Sequence, residues 1–280
     1  RSDVVTATTR GRGAHRSPAL VLARHGHPVH LGGMILETDQ DRAGMRAAGI
    51  VVRDTLAAMR AAVAIGVTTA ELDAVAARVF KAAGARSAPQ LVYRFPGATC
   101  ISVNDEIVHG IPSDRRRLAE GDLVKLDVTA ELHGYMADAC ITVGVGRISE
   151  TAKRLMACAE SAFKKGLREA RHGRRAIDIG RAVEDEVVRK GFAVVEELQG
   201  HSIGRTIHEE PMIPNWPDPE AKGWLTEGLV ITVEPIIAVG DGEMMEGADG
   251  WTILTQDGAI AAHYEHTLVV TKGAPVLLTA

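Results

Sequence analysis

LVKLDVTAELHGYMADACITV, residues 123–143, has the pattern of two strands joined by a tight turn. Apolar and polar residues alternate over residues 124–129, which is the period-2 pattern of a half-buried strand. Residues 137–143 form the second strand candidate. His133 and Gly134 supply the turn between them, because glycine adopts a positive φ at little cost. The sequence therefore predicts an antiparallel hairpin.

Two acids, Asp127 and Asp138, lie on opposite strands of this hairpin, equally far from a turn centred between Leu132 and His133. That centre places the carboxylates directly opposite each other, with Cβ atoms about 4.5–5.5 Å apart. Like charges at this distance destabilise a sheet unless one carboxyl is protonated or a cation lies between them. A divalent metal is the natural cation for carboxylate oxygens. The alternative, two exposed acids on a solvated face, stays open at this point.

The composition indicates a globular chain and argues against a membrane or nucleic-acid role. The 280 residues are 46% hydrophobic, which is enough for a substantial core. A net charge of -4 argues against nucleic acid as the main partner. No apolar run is long enough to cross a membrane, and no secretory signal opens the chain. Three cysteines without a CxxC motif indicate a reducing compartment, so we expect a cytoplasmic protein.

The first 36 residues are more basic than the remainder. They hold five arginines and four scattered histidines against the single acid Asp3. We expect residues 1–36 to be a flexible or surface-wrapped extension and residues 37–280 to be the globular domain. Two alternatives are a basic arm that touches a nucleic-acid-bearing partner such as a ribosome, and a histidine-rich metal tract.

Capping residues and apolar periodicity predict four helices. Thr38 and Ser149 are candidate N-caps, and Thr68 begins a capping box with Glu71. The predicted helices cover about residues 38–65, 69–84, 149–170 and 176–190. Besides the hairpin, predicted strands cover residues 102–108, 192–195, 229–233, 252–255 and 267–271. Asp257-Gly258 is a hairpin signal between two of these strands.

A weak internal sequence similarity links the hairpin to the C-terminal half. Glu-Gly leads into LVKLDV at residue 123 and into LVITVE at residue 229. Each of these strands has an acid near its end, and a second acid precedes a later apolar run, in DACITV and in EHTLVV. The four acids are Asp127, Asp138, Glu234 and Glu265. A duplicated α/β half around a shared cleft would leave this pattern, and chance similarity of strand composition is the competing account.

Histidines near these acids complete a candidate metal site. His201 and His208 lie in the segment GHSIGRTIHEEP, residues 200–211. They are seven positions apart, which is too far for the HExxH helix of zinc peptidases. One imidazole and four carboxylates suit two octahedral or five-coordinate ions such as Mn, Fe or Co. His109 lies in SVNDEIVHGIP, where Gly110 allows a close approach to a ligand. Alone, His109 would be read as a structural histidine.

Taken together, the motifs resemble the type I methionine aminopeptidases. SVNDEIVHGIP, LDVTAELHGYMADA, GHSIGRTIHEEP, ITVEP and YEHT fit that family in order and spacing, from about Thr38 to the C-terminus. The resemblance implies an α+β pita-bread fold of the creatinase/aminopeptidase kind, with a pseudo-two-fold antiparallel sheet flanked by helices. Residues 37–280 would be its catalytic domain. Type II enzymes carry a long insertion between the histidine motif and ITVEP, whereas His201 and Glu234 are close in this sequence.

The resemblance also implies a role for each candidate ligand. Asp127 and Asp138 would hold one divalent ion, with Asp138 reaching the second. His201 and Glu234 would bind the second ion, and Glu265 would bridge both. The ions would be Co, Mn, Fe or Zn, and a water whose pKa they lower would be the nucleophile.

Further residues would act on the substrate. Glu234 would accept the proton of the attacking water, His208 would stabilise the oxyanion, and His109 would contact the scissile amide nitrogen. The family's substrate pocket corresponds here to residues Phe95, Cys100, His109, Ile207, His208 and Trp251. Bacterial relatives often carry an aromatic residue at Ile207 and a tyrosine at Val92, although Tyr93 is adjacent. We therefore expect a reduced but real preference for methionine.

The resemblance carries two further implications. Relatives hold a monovalent cation near Asn104, mainly with backbone carbonyls, so one is expected here. The expected protein is a cytoplasmic, monomeric aminopeptidase that removes the initiator methionine of nascent chains where the second residue is small. Two rivals are a pita-bread peptidase that cleaves before proline, and a pita-bread binding module without metals. The complete set of five ligands argues against the second rival.

Overall fold

The computed structural model describes residues 32–280, and the predicted hairpin lies within its main sheet. Strand β4, Leu123–Leu132, pairs antiparallel with strand β5, Tyr135–Gly144, over the full length of both. His133 and Gly134 form the turn, and both have a positive φ, 51° and 83°. Two-residue turns with this backbone match the twist of paired strands. The predicted hairpin is confirmed.

The register of the hairpin differs from the prediction. Asp127 faces Cys140 and Asp138 faces Thr129, so the two acids are diagonal neighbours and the predicted direct pairing is wrong. The cause is the two-residue turn, whose centre lies one position later than the predicted one. Moving the centre by one residue moves each partner by two, so both acids still project from the same face.

Five helices and fifteen strands make up the regular structure of residues 32–280. The helices are α1 Asp39–Ala62, α2 Thr69–Ala83, α3 Ala88–Tyr93, α4 Glu150–Glu169 and α5 Ala176–Arg189. The other strands are β1 Arg86–Ser87, β2 Cys100–Val103, β3 Glu106–Val108, β6 Ala193–Val194, β7 Gly200–Ser202, β8 Glu209–Ile213, β9 Val230–Val233, β10 Ile236–Ala238, β11 Met244–Glu246, β12 Ile253–Thr255, β13 Ala261–His263, β14 Glu265–Val269 and β15 Val276–Leu277. In this part of the chain no helix is long and apolar enough to cross a membrane.

The main sheet has nine strands, all antiparallel to their neighbours. Its path runs β1-β4-β5-β14-β9-β7-β8, with β2 beside β4 and β15 beside β14. The two segments with similar sequences meet in the sheet where β5 pairs with β14 and Glu265 faces Cys140. Two three-stranded sheets, β13-β10-β6 and β11-β12-β3, lie outside it. The predicted α+β fold with a pseudo-two-fold antiparallel sheet is confirmed.

Helices cover one face of the main sheet in two clusters. Helices α1 and α2 pack on β4 and β5 in one cluster, and α4 and α5 pack on β9 and β14 in the other. Asp127 lies between the core residues Leu126 and Val128, so its side chain projects from the opposite face. That second face is covered as well, because β13 and the turn between β2 and β3 lie over it, and Lys125 is only 1% exposed. The predicted half-buried strand is therefore wrong.

Local backbone chemistry explains where the predicted helices were right. Thr38 and Thr68 each accept from the third helical N–H in a capping box, and Gly84 ends α2 in the left-handed region with φ 68°. Helix α1 ends at residue 62 rather than about 65, because Val63 is already extended. Helix α3 was not predicted.

Two strand predictions are wrong. Residues 102–108 are not one strand, since Asn104 has φ 57° and turns the chain between β2 and β3, which join different sheets. Asp257-Gly258 forms a turn but not a hairpin, because β12 and β13 on either side of it also belong to different sheets.

The predicted extension lies mostly outside the described residues, which begin at residue 32. Its last residues contact the globular domain. The Met34 N–H donates to the Glu209 carboxylate, the Leu36 N–H donates to the Gly228 carbonyl, and Met34 is buried.

Candidate metal centre

The five predicted metal ligands lie on or directly after five neighbouring strands of the main sheet. Asp127 lies on β4, Asp138 on β5 and Glu265 on β14. Glu234 directly follows β9, and His201 lies on β7. Because β4, β5, β14, β9 and β7 are adjacent in this order, side chains far apart in sequence converge on one face.

These ligands line a cavity of about 300 Å³. Every residue that the sequence suggested for the divalent metals, the substrate or catalysis lines the same cavity: Phe95, Cys100, His109, Asp127, Asp138, His201, Ile207, His208, Glu234, Trp251 and Glu265. One end of the cavity is acidic and the other is apolar. This division suits a substrate with an apolar side chain and a reacting group beside it.

The orientation of His201 suits a metal ligand. Its Nδ1 lies 3.0 Å from the Ser202 carbonyl oxygen, an arrangement in which Nδ1–H donates and Nε2 keeps a free lone pair. Nε2 lies 3.6 Å from Oε1 of Glu234. Burial lowers the pKa of His201 to about 4, so the imidazole is neutral at pH 7 as metal binding requires.

Threonine hydroxyls hold two of the carboxylates. The Thr129 hydroxyl donates to Asp138 Oδ2 at 2.8 Å, and the Thr232 hydroxyl donates to Glu234 Oε1 at the same distance. The Thr232 oxygen also accepts from the His201 N–H at 3.0 Å. These contacts fix one oxygen of each carboxylate and direct the other into the cavity.

The four ligand acids would repel one another if all of them were ionised without a cation between them. Burial raises the pKa of Asp127, Glu234 and Glu265 well above the usual range, and nearby carboxylates act in the same direction. Burial also raises the pKa of Asp138 to about 6, although the Thr129 hydrogen bond opposes the shift. Asp138 Oδ1 and Glu265 Oε1 are buried and have no hydrogen-bond partner in the part of the chain that the structure describes. Buried acids with unpaired oxygens that face one cavity fit divalent cations.

Distances between ligand atoms group the residues into two candidate sets. Asp138, His201 and Glu265 form one set, and Glu234, His263 and Glu265 form the other, with ligand atoms within 4.8 Å of one another in each. The sets share Glu265, which is the residue that the resemblance makes the bridge.

His263 has a larger part in the site than sequence reasoning gave it. The sequence motifs indicate only a packing or supporting role for it, yet its Nε2 lies 3.5 Å from Glu265 and 3.8 Å from Glu234. Within the described residues neither ring nitrogen has a hydrogen-bond partner, and burial lowers the pKa of His263 to about 3. Its position two residues before Glu265, and so on the same side of an extended chain, was the available signal.

His208 is held by a contact that the sequence did not predict. The Tyr93 hydroxyl hydrogen-bonds to His208 Nδ1, and the His208 ring lies 4.2 Å from the His201 ring. Burial lowers the pKa of His208 well below its usual value, and His201 and His109 act in the same direction. With Nδ1 accepting from Tyr93, the ring proton is on Nε2, where it can be donated to a substrate.

His109 lies just after β3 with a positive φ of 58°. This backbone conformation is uncommon for a residue with a side chain and places His109 in the cavity wall. Gly110 was expected to allow a close approach to a ligand. The structure shows that Gly110 approaches β2 closely, because a Cβ at Gly110 would lie 2.4 Å from the Ile101 carbonyl oxygen.

Aromatic and aliphatic side chains form the apolar end of the cavity. Phe95 and Trp251 pack edge to face with ring centroids 5.2 Å apart. Cys100 lies beside Asp127 in the sheet register and is buried. Tyr93 lines the cavity and Val92 does not, which agrees with the suggestion that Tyr93 takes the place of a tyrosine at Val92.

Lys125 lies behind the acids, on the same face of β4 as Asp127. Its Nζ donates to the carbonyl oxygens of Asn104 at 2.7 Å and Ala261 at 3.3 Å. Burial lowers its pKa to about 7, and the Glu106 carboxylate acts in the opposite direction. No sequence motif indicated a role for Lys125.

Comparisons with known proteins agree with this geometry. Metallopeptidase family M24 matches residues 43–272. Methionine aminopeptidase 2 of Bacillus subtilis is 42% identical over 247 residues, which are 88% of this chain and 99% of that protein. The crystal structure of methionine aminopeptidase from Rickettsia prowazekii has a TM-score of 0.84 at 35% identity, covering 89% of this chain and 100% of that one. Prolidase from Pyrococcus furiosus, at a TM-score of 0.70 and 23% identity, covers 88% of this chain and 65% of that one and shows likeness of fold alone.

Proposed function

The chain belongs to metallopeptidase family M24, and on that premise we propose how its cavity removes the N-terminal methionine of peptides. Enzymes of this family use divalent metal. We propose that this chain binds two ions. The observation that carries the proposal is the convergence of four carboxylates, three of them buried, and His201 on one cavity with an apolar end.

Each ligand has a proposed place. Asp127 and Asp138 would hold one ion, His201 and Glu234 would hold the other, and Asp138 and Glu265 would reach both. The two sets of ligand atoms share Glu265, which supports its bridging role. They group His201 with Asp138 and Glu234 with His263, and Asp127 belongs to neither set, so its place follows from the resemblance. His263 Nε2, at 3.5 Å from Glu265, is close enough to orient that carboxylate. Co, Mn, Fe and Zn all accept this mixture of carboxylate and imidazole.

The remaining residues act on water and substrate. Bound ions would supply a Lewis acid and lower the pKa of water. Glu234 accepts the proton of the attacking water, which its second oxygen can reach while Thr232 holds the first. His208 donates from Nε2 to the carbonyl oxygen as negative charge develops there. His109 contacts the amide nitrogen that leaves.

The apolar end binds the methionine side chain. Phe95, Cys100, Ile207 and Trp251 offer a surface of the right character for an unbranched thioether, which packs well beside aromatic rings. An aliphatic residue at Ile207 gives fewer aromatic contacts than relatives have, so we propose a reduced but real preference for methionine. A small second residue is preferred.

We assign the chain to the type I enzymes on the length of one connection. Glu234 follows His201 by 33 positions, and the described chain between them contains only strands β8 and β9 and loops. Type II enzymes would carry a long insertion there. Cleavage before proline is the rival activity, and the neighbours with that activity share only the fold.

The cellular setting remains part of the proposal. We expect a monomer that acts in the cytoplasm on nascent chains, and the three buried free cysteines fit a reducing compartment. A ribosome contact by the basic segment 1–36 is a hypothesis about residues mostly outside the described part of the chain. The monovalent cation expected near Asn104 is not included, because Lys125 Nζ contacts that carbonyl.

Release of free methionine from Met-Ala-Ser, compared with cleavage of Ala-Pro peptides, tests the function metal by metal. We expect methionine release with at least one of Co, Mn, Fe or Zn and little cleavage of the Ala-Pro series. Faster cleavage of Ala-Pro peptides with every metal would contradict the assignment.

A further inference from the structure

Lys125 is a buried lysine, and within residues 32–280 its Nζ hydrogen-bonds to backbone carbonyls and not to a carboxylate. Its side chain is 1% exposed, and its two hydrogen bonds at Nζ are to backbone carbonyl oxygens, those of Asn104 and Ala261. A buried ammonium is costly unless its donors are satisfied, so these carbonyls are a built environment for a positive charge.

The position of the Asn104 carbonyl is fixed by its surroundings. Asn104 turns the chain with φ 57°, its side-chain amide donates to Asp122, and its side-chain oxygen accepts from the Leu123 N–H. Its carbonyl oxygen also accepts from the Ala261 N–H at 3.0 Å. The turn between β2 and β3 is thereby bound to both β4 and the start of β13, with the carbonyl directed at the place that Nζ fills.

This is also where the resemblance puts a monovalent cation bound by backbone carbonyls. The residues present do not fit such an ion. Carbonyl oxygens replace the water shell of potassium or sodium, and here the Asn104 oxygen is already 2.7 Å from an ammonium nitrogen. A second cation beside it would face the repulsion of a like charge in a buried site.

We propose that the Lys125 ammonium takes the place of the monovalent cation, so that this chain joins β4, the β2–β3 turn and β13 without potassium or sodium. These three segments lead to Asp127, His109 and His263, respectively, so the ammonium positions the backbone behind the cavity. The proposal concerns the folded structure and does not depend on which peptide the cavity cleaves.

The test is thermal unfolding of the metal-loaded full chain in potassium, sodium or choline chloride at equal ionic strength. Choline is too large for a carbonyl cage and serves as the reference. We expect the wild-type Tm to be the same in all three salts to within about 1 °C. Lys125→Ala should lower the Tm in choline by roughly 5–10 °C, because two buried carbonyls lose a charged donor. Potassium or sodium should restore part of that loss with saturation.

Two variants separate this effect from the mere loss of a lysine. Lys125→Met fills the space without a charge, so its Tm should fall and should not recover in potassium or sodium. Lys164→Ala removes an exposed lysine that pairs with Glu160, and its Tm should change little in any salt.

A saturable rise of the wild-type Tm with potassium or sodium would overturn the proposal, as would rubidium bound to the wild-type chain in equilibrium dialysis. A Lys125→Ala chain that folds but ignores potassium and sodium would also overturn it. If Lys125→Ala does not fold, the two wild-type measurements still decide.

Discussion

Removing the Tyr93 hydroxyl should slow methionine release without weakening substrate binding. Tyr93→Phe deletes the partner of His208 Nδ1 and keeps the aromatic ring in the cavity wall. Without that partner the ring proton is no longer confined to Nε2, the atom proposed to donate to the developing oxyanion. The effect therefore falls on the transition state and not on the bound ground state.

The size of the effect follows from the burial of His208. A buried polar atom left without its partner costs about 1–3 kcal/mol. Tyr93 is only partly buried, so water can replace part of the contact, and we take the lower half of that range. A loss of about 1–2 kcal/mol in the transition state corresponds to a roughly 5–30-fold lower kcat. We expect KM to change by less than about threefold.

Steady-state release of methionine from Met-Ala-Ser by the metal-loaded chain measures this difference. Tyr264→Phe is the matched control, because the Tyr264 hydroxyl also contacts a histidine, His266 Nε2 at 3.3 Å, but neither residue lines the cavity. The control should keep wild-type kcat. Wild-type kcat in Tyr93→Phe, or an equal loss in both variants, would refute the role given to the tyrosine.

Four further predictions concern the metals and the pocket. Asp127→Ala and Glu265→Ala should lose metal and activity together, whereas His208→Ala should keep its metal and lose mostly kcat; full metal content in Glu265→Ala by elemental analysis would contradict the bridging role. Chelation should lower the Tm of the wild-type chain, because four clustered acids lose their counter-charge, and an unchanged Tm would count against that account. In the chelated protein Asp138→Asn should become increasingly stabilising as the pH rises from about 4 to about 6, because burial raises the folded-state pKa of Asp138 to about 6 and its ionised form is disfavoured in the folded state. Above that pH the gain should stay constant, since Asp138 is then ionised in both states. Thermal unfolding against pH measures this, and a difference that does not change between about pH 4 and 6 would contradict it. In a panel of peptides with different first residues, the methionine peptide should be cleaved fastest, but by a narrow margin. Faster cleavage of a peptide with another first residue would contradict the expected preference for methionine.

The sequence was most informative where one short-range rule determined the structure. The hairpin followed from alternation and a His-Gly turn, and the caps at Thr38 and Thr68 followed from hydrogen bonds within four residues. The grouping of the four acids was also predictable, because the internal sequence similarity places two acids at related positions in each half of the chain. The register was missed because one residue of turn length moves every pair, and alternation alone does not fix the turn.

Features that depend on contacts between distant segments could not be predicted from local sequence patterns. The alternating pattern predicts that Lys125 lies on the polar face of a half-buried strand. Only the structure shows that Asn104 and Ala261 pack over it and bury its Nζ. His263 and Tyr93 were undervalued for the same reason, since their partners lie on other strands and loops. The resemblance supplied the ligand set, and the structure added the groups that orient it.

Anomalous X-ray diffraction from crystals of the metal-loaded chain, at the absorption edge of the bound metal, would locate the ions among the five ligands. We expect two peaks in the cavity about 3.5–4 Å apart, with Glu265 and Asp138 between them and Asp127, His201 and Glu234 around them. A single peak, or peaks away from these five side chains, would contradict it.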